Sequence, residues 1–209
     1  MSSIIAIAAS VALSYILGAF PTSYIITKIF AGVDIRQVGS GNAGATNVLR
    51  SAGKIPAVIT LIIDISKGLA AVTLVAGYSY SFGVDLDYDF YRSLLGFIAI
   101  CGHIWPVTLK FRGGKGVATT LGVAIGLAPL ILLPSLIIWI VVFSVSNYVS
   151  LASIIALISF PIIACIFKVS FYIIVFSVAT CLLSVYKHKD NLRRLLRGEE
   201  NKTILFKPK

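Results

Sequence analysis

Long apolar runs broken by short polar segments dominate this chain, and their spacing is that of membrane-crossing helices. A hydrocarbon core about 30 Å thick calls for roughly 20 apolar residues per helix. Such runs occupy residues 4–30, 55–77, 93–109, 117–133, 135–149, 151–167 and 170–186. Pro134 and the Asn147-Tyr148 pair divide what would otherwise be one stretch, because Pro interrupts helical hydrogen bonding and a polar pair prefers an interface. The pattern predicts an all-α, polytopic membrane protein with seven transmembrane helices, built as one domain over residues 1–209. Five spans would keep the same parity if the residues between Val117 and Tyr186 crossed only twice. Residues 1–20 could pass for a signal peptide, but they lack a basic start and the run continues past Pro21 to Phe30, so they are read as the start of the first span.

Composition agrees. The 209 residues are 58% hydrophobic and 12% charged, and a mean hydropathy of +0.97 exceeds what a soluble domain carries. No room is left for a separate soluble domain. Cys101, Cys165 and Cys181 lie in apolar runs without metal-ligand spacing, so neither a disulfide framework nor a zinc site is expected. No metal or cofactor is called for.

The net charge of +10 would suggest nucleic acid in a soluble protein, yet here the basic residues flank hydrophobic spans and no nucleic-acid partner is expected. Lys28, Arg36, Arg50 and Lys54 surround the first loop, Lys110, Arg112 and Lys115 the third, and eight more follow Tyr186. By the positive-inside rule these segments are cytoplasmic. Only Arg92 and Lys168 fall in loops assigned to the outside, beside Asp85, Asp87 and Asp89. The N-terminus is then outside and the C-terminus cytoplasmic.

Three polar motifs share that cytoplasmic side. The first loop holds GSGNAGATNVLR, Gly39 to Arg50. Its small residues, Gly41 among them, let backbone approach a ligand, Ser40, Asn42, Thr46 and Asn47 supply neutral hydrogen-bonding groups, and Arg50 offers a bidentate fork for phosphate. A flexible connector would not need that variety of side chains. The third loop holds GHIWPVTLKFRGGKGVATT, Gly102 to Thr120. Gly113, Gly114, Lys115 and Gly116 directly precede an apolar helix, so free backbone N–H groups, the positive helix end and an ammonium are expected to converge on an anion. It is not a nucleotide P-loop: Leu109 stands where the first Gly belongs and Gly116 where Ser or Thr would bind magnesium. The bland alternative is a tight turn with a positive-inside Lys. The tail holds HKDNLRRLLRGEE, where His188, Asn191 and Leu195 share a helical face with Arg194 beside it. An interfacial amphipathic helix is the competing reading there.

These three segments resemble the signature motifs of the bacterial glycerol-3-phosphate acyltransferases that use acyl phosphate as donor, the PlsY type. The resemblance implies a seven-helix enzyme of the bacterial inner membrane, with its active site facing the cytoplasm. It would move a fatty acyl group from acyl phosphate to the 1-hydroxyl of glycerol 3-phosphate, giving lysophosphatidic acid and phosphate. Besides its two substrates and membrane lipid, the partner it implies is the soluble enzyme that makes acyl phosphate, met in transient contact. The family's essential Ser and Arg match Ser40 and Arg50, its glycerol 3-phosphate motif matches Gly113, Gly114, Lys115 and Gly116, and its third motif matches His188, Asn191, Arg194, Gly198 and Glu200. Catalysis is assigned to Ser40, Arg50, Lys115, His188 and Asn191. Gly41, Asn42, Thr46, Asn47, His103, Gly113, Gly114, Gly116, Ser153 and Arg194 are assigned to substrate and phosphate. Gly198, Glu200 and the Asp64–Lys67 pair are assigned to structure. Ser153 belongs to NYVSLAS, a weaker match in which Asn147 replaces a residue that is often basic in the family.

Neither His103 nor His188 is followed five residues later by Asp, since those positions hold Thr108 and Arg193, so the His-x4-Asp device of other glycerolipid acyltransferases is absent. With no carboxylate paired with either His in the motifs, electrostatic positioning and a substrate phosphate as proton acceptor are expected to carry the reaction. A secondary transporter for an organic phosphate is the rival class. Against it, only Asp64 and Lys67 lie clearly inside a span.

Overall fold

The computed structural model describes residues 2–203; Lys207 and Lys209, counted above in the basic tail, lie outside the described residues. All regular structure among them is helical. Backbone contacts divide the chain into two compact units at Leu127.

The first unit opens with α1 (Ser3–Ala19) and α2 (Thr22–Ala31), two pieces of one apolar 29-residue segment broken at Phe20-Pro21. Pro21 has no N–H to continue the ladder, and the carbonyls released at the break find side-chain donors: Thr108 Oγ1 reaches Ala19 O at 2.6 Å and Lys67 Nζ reaches Phe20 O at 2.6 Å. The short α3 (Ala45–Ala52) follows the first polar loop. α4 (Lys54–Ala70) runs through a π-helical turn, Ala71–Val75, into α5 (Ala76–Tyr80), a 27-residue apolar segment in all. α6 (Tyr88–Ile104) packs on α1, and α7 (Val117–Leu127) packs on α4 and α6. Gly68 and Gly122 allow the α4–α7 approach, because a methyl on either would strike backbone of the opposite helix.

The second unit is an antiparallel stack in which α8 (Pro129–Ser146) and α10 (Phe171–Lys187) pack on α9 (Val149–Ile166). The short α11 (Lys189–Leu196) bends away from α10 by 59° at His188.

Five described segments are long and apolar enough to cross a bilayer, or six if the bent α10–α11 pair is one span. α7 is apolar but has only 11 residues, about 16 Å at 1.5 Å per residue. Two expectations are corrected. The break expected at Pro134 falls instead at Ala128-Pro129, where Pro129 occupies the first helical position with its missing N–H outside the ladder; Pro134 rides inside α8. Arg92, expected in an outer loop, is in α6 and only 9% exposed. Its Nε donates to Val72 O of the π turn at 2.7 Å, its Nη2 to Gly126 O near the end of α7 at 2.5 Å, and it lies over the Tyr88 ring at 4.6 Å. Helix ends and π turns leave carbonyls without intrahelical donors, and a guanidinium supplies several at once. The division at Asn147 is found, with Asn147 in the left-handed region at φ 60° as the cap of α8.

Candidate functional site

The first polar loop is built around the buried amide of Asn47, 2% exposed at the start of α3. Its Nδ2 donates to Ile35 O at 3.1 Å and Val38 O at 3.0 Å, while its Oδ1 accepts the Ser40 N–H at 3.0 Å. Gly39 and Gly41 take positive φ of 59° and 67°, a conformation costly for other residues, and the Gly41 N–H closes the turn on Val38 O at 3.0 Å. The outcome is a fixed loop with Ser40 exposed at its tip and Arg50 exposed on α3. Asn42 and Thr46 are half-buried beside them. Below, Ile35, Ala43 and Val48 share a core with Leu109 of the third loop, so the two motifs rest on common apolar ground. Arg36 is committed elsewhere: it forks onto Asp34 with Nη2–Oδ2 at 2.6 Å and Nε–Oδ1 at 3.0 Å, and those bonds hold the Asp34 carboxyl below its ordinary range.

The glycine loop departs from its expected form. The Gly113 and Gly114 N–H groups do not face outward: they donate to the carbonyls of Ile104 at 3.2 Å and His103 at 3.1 Å. Those carbonyls end α6 and lack intrahelical donors, so the glycines clamp the loop to the helix end. Gly116, with a φ of +85°, turns the chain from this clamp into α7. Thr120 N–H bonds back to Gly116 O at 2.8 Å as the first full turn closes.

Behind this clamp lies a small cavity lined by residues including Phe20, Ala43, Asp64, Lys67, His103 and Gly114. Asp64 and Lys67 are 2% and 6% exposed and bonded at 2.7 Å. The same Asp64 oxygen lies 3.8 Å from His103 Nδ1, which corrects the expectation that neither His has a carboxylate beside it. The two residues lie 39 positions apart and no sequence motif joins them.

In the second unit, Gly198 at φ 71° ends the helical tail, with Gly198 N–H to Leu195 O at 3.1 Å and Glu199 N–H to Arg194 O at 2.8 Å. That reversal brings Glu200 back over α11. Its Oε1 accepts from Asn191 Nδ2 at 2.7 Å and Ser150 Oγ at 2.9 Å, and its Oε2 from Arg194 Nε at 2.7 Å. Burial alone would raise the Glu200 carboxyl, but the Arg194, Asn191 and Ser150 hydrogen bonds outweigh it and hold the group below the usual glutamate range. Ser150 was not among the expected residues; the only signal was its place in NYVSLAS at the polar start of α9. Ser153, one turn on, accepts a bond from Trp139 Nε1 at 3.2 Å. His188 sits buried at the α10–α11 junction with Nδ1 at 2.7 Å from Ser184 O. A carbonyl can only accept, so the neutral ring carries its proton on Nδ1 and presents Nε2 as an acceptor. Among the described residues no group of His, Cys, Asp and Glu could hold a metal.

Comparison with known proteins places this geometry. The family described as glycerol-3-phosphate acyltransferase matches residues 8–198. The glycerol-3-phosphate acyltransferase of Prochlorococcus marinus (strain MIT 9312) is 41% identical over 191 residues, covering 90% of this chain and 93% of that one. That of Clostridioides difficile (strain 630) is 42% identical over 189 residues, covering 90% and 91%. The crystal structure of PlsY, an integral membrane glycerol 3-phosphate acyltransferase, in its glycerol 3-phosphate form superposes with a TM-score of 0.85 at 36% identity, covering 95% of this chain and 96% of that one. Its lysophosphatidic acid form gives 0.83 at 35%. With a matching family description over most of its length and relatives well above 30% identity, the chain belongs to the glycerol-3-phosphate acyltransferase family, as an integral membrane protein of the PlsY type.

Proposed function

We propose that this chain, acting as one acyltransferase domain, moves a fatty acyl group from acyl phosphate to the 1-hydroxyl of glycerol 3-phosphate. The products are lysophosphatidic acid and phosphate, and the reaction is the first acylation of phospholipid synthesis. The observation that carries the reading is the pair of solved relatives at 36% and 35% identity, whose forms hold glycerol 3-phosphate and lysophosphatidic acid. They bracket one reaction from substrate to product. The membrane arrangement that goes with it has seven segments, α7 the short one, with the N-terminus outside and the motifs facing the cytoplasm of the inner membrane. The fifteen basic residues on the motif side, against Lys168 alone in the outer loops once Arg92 is placed in α6, support that orientation.

Both substrates are phosphate anions, so charge compensation is the first requirement. Arg50 and Lys115 provide it, with Gly116 and the N-terminal turn of α7 adding backbone dipole. Arg194 is already tied to Glu200 by one nitrogen and offers its remaining N–H groups to a second oxygen. Ser40, on a loop made rigid by Asn47, donates a hydroxyl. His188 and Asn191 orient the attacking hydroxyl, and phosphate leaves as the carbonyl–oxygen bond breaks. The hydroxyl proton passes to a substrate phosphate oxygen, whose second pKa near 6 suits neutral pH. His188 as general base is the second reading, favoured by its acceptor nitrogen. Release of phosphate from acyl phosphate by detergent-purified protein, dependent on glycerol 3-phosphate, tests the proposal. Release without dependence on glycerol 3-phosphate, or none at all, overturns it, and activity in micelles excludes a transporter because no sealed compartment is present.

A further inference from the structure

The buried trio behind the glycine loop has no part in the chemistry just described, yet it stands directly against that loop and the break in the first segment. Lys67 ties Asp64 to the Phe20 carbonyl at the break in the first segment. Asp64 faces the inner nitrogen of His103 at 3.8 Å. The outer nitrogen of His103 is covered by Gly114: a methyl on that glycine would collide with Nε2 and Cδ2 of the ring and lie 2.8 Å from the Ala43 carbonyl oxygen of the first motif. Gly114 is thus pressed between the imidazole on one side and the first polar loop on the other, while its own N–H is bonded to the His103 carbonyl.

An Asp beside a His suggests a general base. The packing argues otherwise, since the nitrogen that would take a proton is sealed by Gly114 and His103 is only 8% exposed. A hydroxyl cannot reach it without lifting the loop. A lone charge at Asp64 or Lys67 within an apolar segment costs about 2.5–3.5 kcal/mol, and pairing them removes that cost without explaining why His103 stands against the pair.

We infer that Asp64, Lys67 and His103 form a buried positioning relay, in which His103 touches no substrate and instead sets the height of the Gly113–Gly116 loop against the first motif. The relay rests on the proposed function in assigning that loop to glycerol 3-phosphate. It reassigns His103 from a binding to a positioning residue, and it gives the Asp64–Lys67 pair a functional end: holding the ring.

The test is a coupling measurement in purified, detergent-solubilised protein, varying glycerol 3-phosphate at saturating acyl phosphate. His103→Ala and Asp64→Asn are each expected to raise KM for glycerol 3-phosphate about tenfold, with a smaller effect on kcat, and His103→Gln, which keeps a wall against Gly114 but cannot act as a base, to recover most of that loss. Gly114→Ala alone is expected to raise KM about tenfold or more, whereas adding it to His103→Ala raises KM by a clearly smaller factor, about threefold to fivefold, because the ring it would strike has gone and only the Ala43 carbonyl oxygen still crowds the methyl. Multiplicative effects in the double variant overturn the relay. A His103→Gln protein that loses kcat and its pH dependence at unchanged KM overturns it in favour of a base. Amide hydrogen exchange at Gly113 and Gly114 reads the relay without substrate: it is expected to quicken about tenfold or more in His103→Ala and Asp64→Asn, and unchanged protection overturns the inference. Should the unaltered protein show no glycerol 3-phosphate-dependent release, the functional reading fails while exchange still decides the relay.

Discussion

Removing the Glu200 carboxylate is the sharpest perturbation of the second unit. Three donors converge on it within 2.9 Å, from Ser150, Asn191 and Arg194, and the residue is 8% exposed. Hydrogen bonds to a charged group contribute about 1.5–3 kcal/mol each, but they share one carboxylate and are not additive, and the Arg194 side chain left behind is 36% exposed and regains water, so the relevant scale is about 2–3 kcal/mol. For a protein of this size that is a Tm lower by about 4–12 °C in Glu200→Ala. Glu200→Gln keeps the acceptor for Ser150 and Asn191 but faces Arg194 with a neutral group, so it is expected to lose about half as much. The pH dependence has a definite sign. The carboxyl is held below its ordinary value of 4.5, so its stabilisation is complete above about pH 4.5 and drains away as pH falls through the lowered value. Fluorescence-monitored unfolding in detergent at pH 7 and along an acid series reads both. Glu200→Ala with wild-type Tm, or the same acid profile in Glu200→Ala as in the unaltered protein, would refute the reasoning.

Further outcomes follow from other residues. At least one of His188→Gln and His188→Asn should retain measurable turnover with little change in pH profile, against near-complete loss in Arg50→Ala and Lys115→Ala; both amide variants as inactive as those truncations would make His188 the base. Cysteine labels near Ser40, Gly114 and Asn191 should react only from the cytoplasmic side and one near Asp87 only from outside, as read with impermeant maleimide on right-side-out and inverted vesicles. Arg92→Met should lower Tm by about 2–12 °C, because loss of its two carbonyl contacts costs on the order of 1–3 kcal/mol, while KM for glycerol 3-phosphate stays put.

Periodicity and charge carried the helical class, the apolar segments and the identity of the polar loops, because those depend on residues near one another in the chain. What they could not carry is who answers whom across the fold. The four glycine-loop residues read as a ring of free donors from composition, yet two of their N–H groups are spent on the end of α6. Asn47 reads as one more neutral group for a ligand, yet its amide holds the loop that carries Ser40. Asp64 and His103, and likewise Ser150 and Glu200, are joined only by packing. Pro134 misled for a local reason: its missing N–H removes one ladder bond, which does not end an 18-residue apolar helix.

The Arg92 contacts bear on how the protein is made. At about 16 Å, α7 is too short for an insertion machinery to treat as a complete crossing, and its Gly126 carbonyl is held by a cation that leaves the ribosome 34 residues earlier. Until Gly126 emerges, Arg92 has the π-turn carbonyl of Val72 but not its second acceptor. Segment by segment partitioning into lipid is therefore unfavourable here, and α4, α6 and α7 are expected to leave the translocon together, as one preassembled trio.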